Sequence, residues 1–373
     1  MEKIVISEEE SKNFITELFQ KAGVSKEQGE IVADHLTMAE MRGQASHGLN
    51  RIPFYLEKLE GGGYQAAPNM RIVKETKSTI LLDGDHGIGI ISAVAAMKKS
   101  MKKAKQTGCG ITAVKNCNHI GFLAYYTMMA AREGMIGGAI CNAGASTAVF
   151  GTYQAVLGTN PFSVALPADK KAMVVLDCAT SIVAQGKVAI ANRENKKIPK
   201  TWAYDKDGNI TDSPKEALEG SMRPFGDYKG SGLGMIISML TSGLTGMPFD
   251  MEKENLERIS DSSAGSALAA QFWAVDISAF TDLESFKSRI DDFIGYVKHC
   301  NPFPGIQEIF IPGEKEFYEE KRNREKNGFE IGRGLYRKLS EIASKYGLNY
   351  DMKNWLKAEE GVNGKNIGFS KSF

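Results

Sequence analysis

Cysteine is scarce: five in 373 residues (Cys109, Cys117, Cys141, Cys178 and Cys300), odd in number, widely spaced and with no C-x-x-C pair. That excludes a disulfide framework or a structural zinc site, and these read as reduced, buried or incidental thiols. No H-E-x-x-H, EF-hand or Walker A pattern occurs, so metal and nucleoside-triphosphate chemistry have no support. An excess of one charge is also missing. Lys plus Arg number 46 against 45 Asp plus Glu, a net +1, so no global field draws the chain onto nucleic acid or an anionic membrane. No apolar run is long enough to span a bilayer, and the start, MEKIVISEEESKNF, is charged where a secretory leader needs an apolar stretch. A cytoplasmic protein with a small-molecule partner is the expectation. The G-x-G-x-x-G fingerprint between a first strand and a helix is absent as well. Its nearest approach, Gly84-Asp85-His86-Gly87-Ile88-Gly89, has the wrong spacing and reads as a tight turn, which disfavours an ordinary Rossmann domain.

What is present is ordinary globular usage, with 42% hydrophobic and 24% charged residues, enough to build a core. The length suits one large composite domain or two closely packed ones, and no repeat or low-complexity linker marks a boundary. Ser7 with Glu10 forms a capping-box pattern ahead of Phe14, Leu18 and Phe19, and Gly23 ends that helix. Ser25 with Gln28 starts a second, with Ile31, Val32, Leu36 and Met38 inward, fading at Arg42-Gly43, so that Ser46-His47-Gly48 lies just past a helix end. A helix over Arg51 to Leu59 follows, closed by three glycines. RIVKET and STILLDG read as strands, ISAVAAMKKSMKKAKQ as a helix, GITAVKN as a strand, FLAYYTMMAAREG as a helix and GMIGGAICNA as a strand. SVALPA, AMVVLDCA and WAYDKDGNIT are further strands, the last with a hairpin turn at KDGN. GSGLGMIISMLTSGLTG is helical, QFWAVDI a strand, LESFKSRIDDFIGYVKH an amphipathic helix, IQEIFIPGE a strand running into a loop, and GLYRKLSEIASKYGL a last helix.

Several clusters carry chemistry. In Ser46-His47-Gly48-Leu49-Asn50-Arg51, with Tyr55 a turn beyond, an imidazole that titrates near neutrality sits beside a guanidinium fork that grips carboxylates, a pairing suited to a 2-oxo acid. The plain alternative is a helix-end Ser-His with Arg51 in a surface ion pair. Asn118-His119-Ile120-Gly121 follows a strand and offers His119 as a general acid/base, or as a histidine satisfied by a backbone bond. Alternation places Cys117 on the same face as His119, which keeps a Cys-His nucleophile open. Gly158-Thr159-Asn160-Pro161 and Asp177-Cys178-Ala179-Thr180-Ser181 are small and hydroxyl-rich strand ends that either admit a flat cofactor or simply turn. Gly226 to Gly232, with Lys229 and Gly230 opening a helix, suits a phosphate or is a solvated loop.

These clusters occur in the order SHGLNRIPFY, NHIGFLAYY, LGTNPFSVALP, LDCATSIVAQGK, IPKTWAYDKDG, RPFGDYKGSGLG and IPGE. The series, running nearly end to end, resembles the malate/L-lactate dehydrogenase family, whose relatives include ureidoglycolate, diketogulonate and sulfolactate enzymes and piperideine/pyrroline-2-carboxylate reductase. The resemblance implies a mixed α/β, non-Rossmann fold with a largely antiparallel cofactor-binding sheet packed with helices. It implies a homodimer, with residues 1–75 and 315–373 forming a helical dimerisation and substrate region and 76–314 the NAD(P)-binding and catalytic region. It implies an NAD cofactor, with NADP as the alternative, and a small carboxylate substrate interconverted between 2-hydroxy and 2-oxo acid. Ser46, His47 and His119 take catalytic roles by this likeness, either histidine serving as the acid/base, and Arg51 and Tyr55 bind substrate. Asn142, Thr159, Asp177, Cys178, Ala179, Thr180, Ser181, Lys229, Gly230, Gly313 and Glu314 match cofactor-contacting regions. Two departures stand out: Gln271-Phe272-Trp273 replaces a stretch that often holds a histidine, and the tail beyond Gly347 is longer than typical. A cyclic ketimine-carboxylate reductase, a hydrolase or transferase using Cys117 with His119, and a non-catalytic ligand-binding homologue are the alternative readings.

Overall fold

Ser7 closes its capping box: its hydroxyl accepts the Glu10 N–H at 3.1 Å while its own N–H donates to the Glu10 carboxylate at 3.2 Å, starting the helix Glu8–Lys21. The computed structural model describes residues 3–348. Phe14, Leu18 and Phe19 on that helix are buried, each burial stabilising by about 1.5–3 kcal/mol. Ser25 caps the helix Lys26–Met41, which ends at Arg42 and the left-handed Gly43. Two single-turn 3-10 helices, Ala45–His47 and Leu49–Arg51, lead into the helix Ile52–Glu60, which has Pro53 in its first turn. The two ends of the described chain meet here. The strand Lys3–Ile6 pairs antiparallel with Phe329–Gly332, and the helix Arg333–Lys345 adds Leu339 and Ala343 to the same apolar cluster as Phe14, Leu36 and Tyr55.

The central sheet has seven strands in the order Arg71–Glu75, Thr79–Asp83, Cys109–Cys117, Leu268–Asp276, Met135–Cys141, Phe162–Leu166 and Val174–Cys178. Only Thr79–Asp83 with Cys109–Cys117 is parallel, its crossover made by the helix Gly89–Thr107. Every other pairing in the sheet is antiparallel, as expected for a mixed α/β chain lacking the Rossmann fingerprint. Gln271-Phe272-Trp273 lies in the middle of this sheet. Phe272 is buried, and Trp273 crosses Gly138 so closely that a Cβ there would sit 1.8 Å from the indole, so this departure builds core. Gly84 to Gly89 is a tight turn with Asp85 and His86 at φ +49° and +51°, and at Gly89 the Asn118 carbonyl comes so near that a Cβ would lie 2.2 Å away. The turn therefore seats the His119 loop against the start of a helix.

A smaller sheet runs Ile210–Thr211, Ala203–Tyr204, Ser221–Met222, Thr147–Ala148 and Ala155–Leu157, and includes the hairpin read from KDGN. The helix Tyr228–Ser238 continues into a π-helical stretch, Met239–Gly243. One expected strand is not formed: residues 306–313 are irregular and touch the edge strand through a single bond, Val175 N–H to the Pro312 carbonyl at 2.9 Å. Pro312 itself has no N–H to give a ladder. The helix Glu314–Glu325 that follows has little apolar periodicity. Glu314 and Glu316 in its first turn and Arg322 and Arg324 in its last suit the helix dipole, and Glu320 forms a nearly buried 2.8 Å ion pair with Arg42. The tail beyond Gly347 lies, past Leu348, outside the described residues. Among those described, no helix is long and apolar enough to cross a membrane.

Candidate active site

The turn after the second helix places Ser46, His47 and Arg51 together. Ser46 Oγ is 3.0 Å from His47 Nδ1, and Arg51 Nε donates to the Ser46 carbonyl at 2.8 Å. Arg51 is half-buried and, among the described residues, pairs with no carboxylate, so its terminal nitrogens are left for a ligand and the surface-ion-pair alternative falls away. One turn further, Tyr55 is fully buried. Its hydroxyl, expected from the sequence resemblance to bind substrate, is 2.7 Å from Nδ1 of His119.

His119 arrives from the opposite direction, on the loop leaving Cys109–Cys117. Asn118 clamps that loop: its Nδ2 donates to the His86 and Gly87 carbonyls at 2.8 Å each, and its Oδ1 accepts the Ser266 N–H at 2.7 Å. The His119 N–H donates to the Tyr64 hydroxyl at 3.3 Å. The His47 and His119 rings lie parallel, 9° apart in tilt, with centroids separated by 5.9 Å. With each Nδ1 engaged, each Nε2 is the atom available for proton exchange. Both residues are half-buried. Burial of the packed side, then Arg51, lowers His47 to about 4, and burial, then Arg51 and His47, holds His119 well below its ordinary value. Both imidazoles are therefore neutral at neutral pH. Burial pushes the Tyr55 and Tyr64 hydroxyls up, keeping them protonated.

His35, Tyr64 and Asn118 shape this site without a local sequence signal of doing so. His35 is fully buried beneath Gly121, where a Cβ would lie 2.0 Å from its ring, and burial lowers it to about 3. Cys117 is the reverse case. Its Sγ is buried, 3.6 Å from Ser92 Oγ and donating to the Asn118 carbonyl, and burial pushes the thiol up to about 12. His119 Nδ1 is engaged by Tyr55, so a Cys117–His119 nucleophile is not assembled.

Most of the residues matched to a cofactor also converge. The Asp177 carboxylate accepts the Ala124 N–H at 2.8 Å, tying its strand end to the helix just past His119, and burial raises it to about 6. Thr180 donates to the Thr159 carbonyl from both N–H (2.8 Å) and hydroxyl (3.1 Å), and Ser181 Oγ donates to the Val183 carbonyl. Cys178 and Ala179 remain partly exposed between them. The Gly230 position is packed so tightly that a Cβ would meet the Phe225 and Thr180 carbonyls at 2.4 and 2.7 Å. Beside it Lys229 is exposed at the first turn of Tyr228–Ser238, with no carboxylate partner among the described residues, and the space at Gly232 is open. An unpaired lysine at a helix N-terminus with open space beside it is a donor set that fits the pyrophosphate of a dinucleotide.

Asn142, Gly313 and Glu314 sit differently. Asn142 is buried with its amide fully engaged, Nδ2 on Ser242 and Asp250 and Oδ1 on the Ala269 N–H, so it braces the sheet. Glu314 accepts the Ile311 N–H and the Tyr318 hydroxyl and pairs with Lys298 at 2.6 Å. Gly313, at φ +82°, packs on Val175, where a Cβ would be 2.7 Å away. Both line a cavity of about 1150 Å³ with Arg42, Val175, Lys298 and Phe317, and neither His47 nor His119 lines it.

A family model for malate/L-lactate dehydrogenase matches residues 6–340. The chain belongs to this family. It is 37% identical to L-sulfolactate dehydrogenase of Methanocaldococcus jannaschii over 93% of this chain and 99% of that one, whose solved structure superposes with a TM-score of 0.85. Malate dehydrogenase of Entamoeba histolytica, 30% identical, covers 94% of this chain and 99% of its own with a TM-score of 0.89. A delta1-piperideine-2-carboxylate reductase from Pseudomonas syringae, 25% identical, covers 91% and 99% with a TM-score of 0.82. Family members carry both cofactors in their names: ureidoglycolate dehydrogenase (NAD(+)) of Escherichia coli K12 is 30% identical over 94% of this chain and 98% of its own. A (2R)-3-sulfolactate dehydrogenase (NADP(+)) of Chromohalobacter salexigens is 34% identical over 66% and 74%.

Proposed function

We propose that this dehydrogenase interconverts a small 2-hydroxy acid and its 2-oxo acid with a nicotinamide dinucleotide, NAD in preference to NADP. The observation that carries this is the facing pair His47 and His119, each with Nδ1 held and Nε2 available, beside an Arg51 that pairs with no carboxylate among the described residues. Bound nicotinamide supplies or takes the hydride at its C4. Arg51 holds the substrate carboxylate through its terminal nitrogens while its Nε stays on the Ser46 carbonyl. In oxidation a neutral imidazole takes the hydroxyl proton at Nε2, and in reduction the imidazolium returns it to the oxygen forming at C2. Ser46 steadies His47 and Tyr55 steadies His119 through the change in ring charge. Lys229, exposed at the first turn of Tyr228–Ser238, would hold the dinucleotide's phosphates.

The kinship with a cyclic imine reductase supports a second reading, since a ketimine carboxylate presents the same carboxylate and a protonatable nitrogen. Following reduced-nicotinamide absorbance with NADH and NADPH against a panel of 2-oxo acids and cyclic ketimine carboxylates separates the two. Consumption with oxo acids supports the first reading, and consumption with imines alone replaces it. We further propose a homodimer, supported by the exposed apolar face of Ile236, Met239, Leu240 and Leu244. Light scattering that returns a monomer removes it.

A further inference from the structure

We propose that Glu40 is the positioning residue for the substrate turn, its buried side chain reaching from the second helix to hold the backbone that carries His47 and Arg51. The inference rests on the reading of Arg51 as the carboxylate clamp. Glu40 lies in the last turn of Lys26–Met41, and its Oε1 accepts the Leu49 N–H at 2.8 Å. Leu49 opens the 3-10 turn Leu49–Arg51, where a first N–H has no partner within its own turn, so the carboxylate caps that turn from another element. Gly48, between His47 and Leu49, has the Glu40 side chain directly against it: a Cβ there would lie 2.3 Å from Oε1 and 2.6 Å from Cδ. Two further bonds complete the clasp, the Arg51 N–H to the Gly48 carbonyl at 2.9 Å and Arg51 Nε to the Ser46 carbonyl.

Stability alone gives no reason for a carboxylate here. It is 6% exposed, pairs with no cation among the described residues, and sits at the negative end of a helix dipole. Burial accordingly raises it to about 7, opposed only by the Leu49 N–H. A leucine or methionine would fill the volume without that desolvation. What the glutamate adds is one acceptor at one place, which fixes where the His47 and Arg51 turns stand relative to each other.

Reach and charge can be separated. Glu40→Gln keeps the length and an acceptor oxygen; Glu40→Asp keeps the charge but is shorter by about 1.5 Å, beyond hydrogen-bond range of Leu49. Expected are a Gln variant with the KM for the acid within about twofold of the parent, and Asp and Ala variants raised about tenfold or more, the KM for the dinucleotide holding in all three. Hydrogen exchange read by mass spectrometry gives an activity-independent measure: peptides spanning 45–51 lose protection in Asp and Ala but not in Gln. An Asp variant that behaves like the parent, or a Gln variant with lost protection, overturns the proposal. Arg51→Ala run alongside isolates the underlying reading: an unchanged KM for the acid removes the clamp, whatever the exchange at Leu49 shows.

Discussion

The Tyr55 hydroxyl stands 2.7 Å from Nδ1 of His119, although 64 residues separate them in the chain. A hydroxyl accepts from an Nδ1–H and donates to a bare Nδ1, so this one contact serves His119 in either protonation state. Tyr55→Phe keeps the buried ring and removes the contact. Turnover is expected to fall about ten- to a hundredfold, the worth of a hydrogen bond to a group that becomes charged, with the KM for dinucleotide unchanged. Steady-state kinetics of the Phe variant checks this, and parental turnover would detach Tyr55 from the chemistry.

The His47 and His119 rings lie parallel with centroids 5.9 Å apart, and each is expected to matter. His119→Ala and His47→Ala should each lower turnover by about two to four orders of magnitude, the range of a lost general acid/base. Single-turnover rates identify the proton-transfer partner as the variant with the larger loss; parental rates in both would refute the assignment.

Protonation sets the pH dependence. Burial, then Arg51, lowers His47 from its ordinary 6.5 to about 4, and burial lowers His119 as well, which favours both as bases at neutral pH. For oxidation of the hydroxy acid, kcat/KM is therefore expected to stay level from about pH 8 to about pH 5 and to fall only below that. A break near 6.5 in that profile would contradict the burial argument.

His35 makes a stability prediction of definite sign. Its folded value near 3 lies below the unfolded 6.5, so the unfolded chain binds more protons and stability is lost as pH falls. Between about pH 6.5 and 5 this one group should cost about 1.5 kcal/mol. Denaturant titrations of His35→Leu at the two pH values should show a correspondingly flatter dependence, and an unchanged slope would mean that His35 does not carry it.

The sequence made the elements legible wherever period and caps agreed. Ser7 with Glu10, the run STILLDG and the long amphipathic run before Gly108 all became the elements expected. The strand expected over 306–313 failed because its apolar residues meet the sheet edge only at Pro312, a tertiary fact that no local pattern carries. Glu314–Glu325 was hidden for the converse reason, since its stability comes from end charges and from Arg42 rather than from an apolar stripe. In the site, Ser46, His47, Arg51 and His119 were legible as residue types, and the fold brings them together. Their neighbours were not: no local pattern shows Tyr55 bonded to His119 or Asn142 held by Asp250 and Ser242, and His35 and Glu40 read as ordinary helix positions.

The most direct test of the central claim is isotopic. Reduced dinucleotide carrying deuterium at the transferring C4 position is incubated with the protein and a 2-oxo acid that it consumes, and the product is weighed by mass spectrometry. The expected product is a 2-hydroxy acid one mass unit heavier, with the deuterium on C2. Oxidation of the dinucleotide with no deuterium on C2 would contradict the claim, as would transfer that survives intact when His47 and His119 are both replaced.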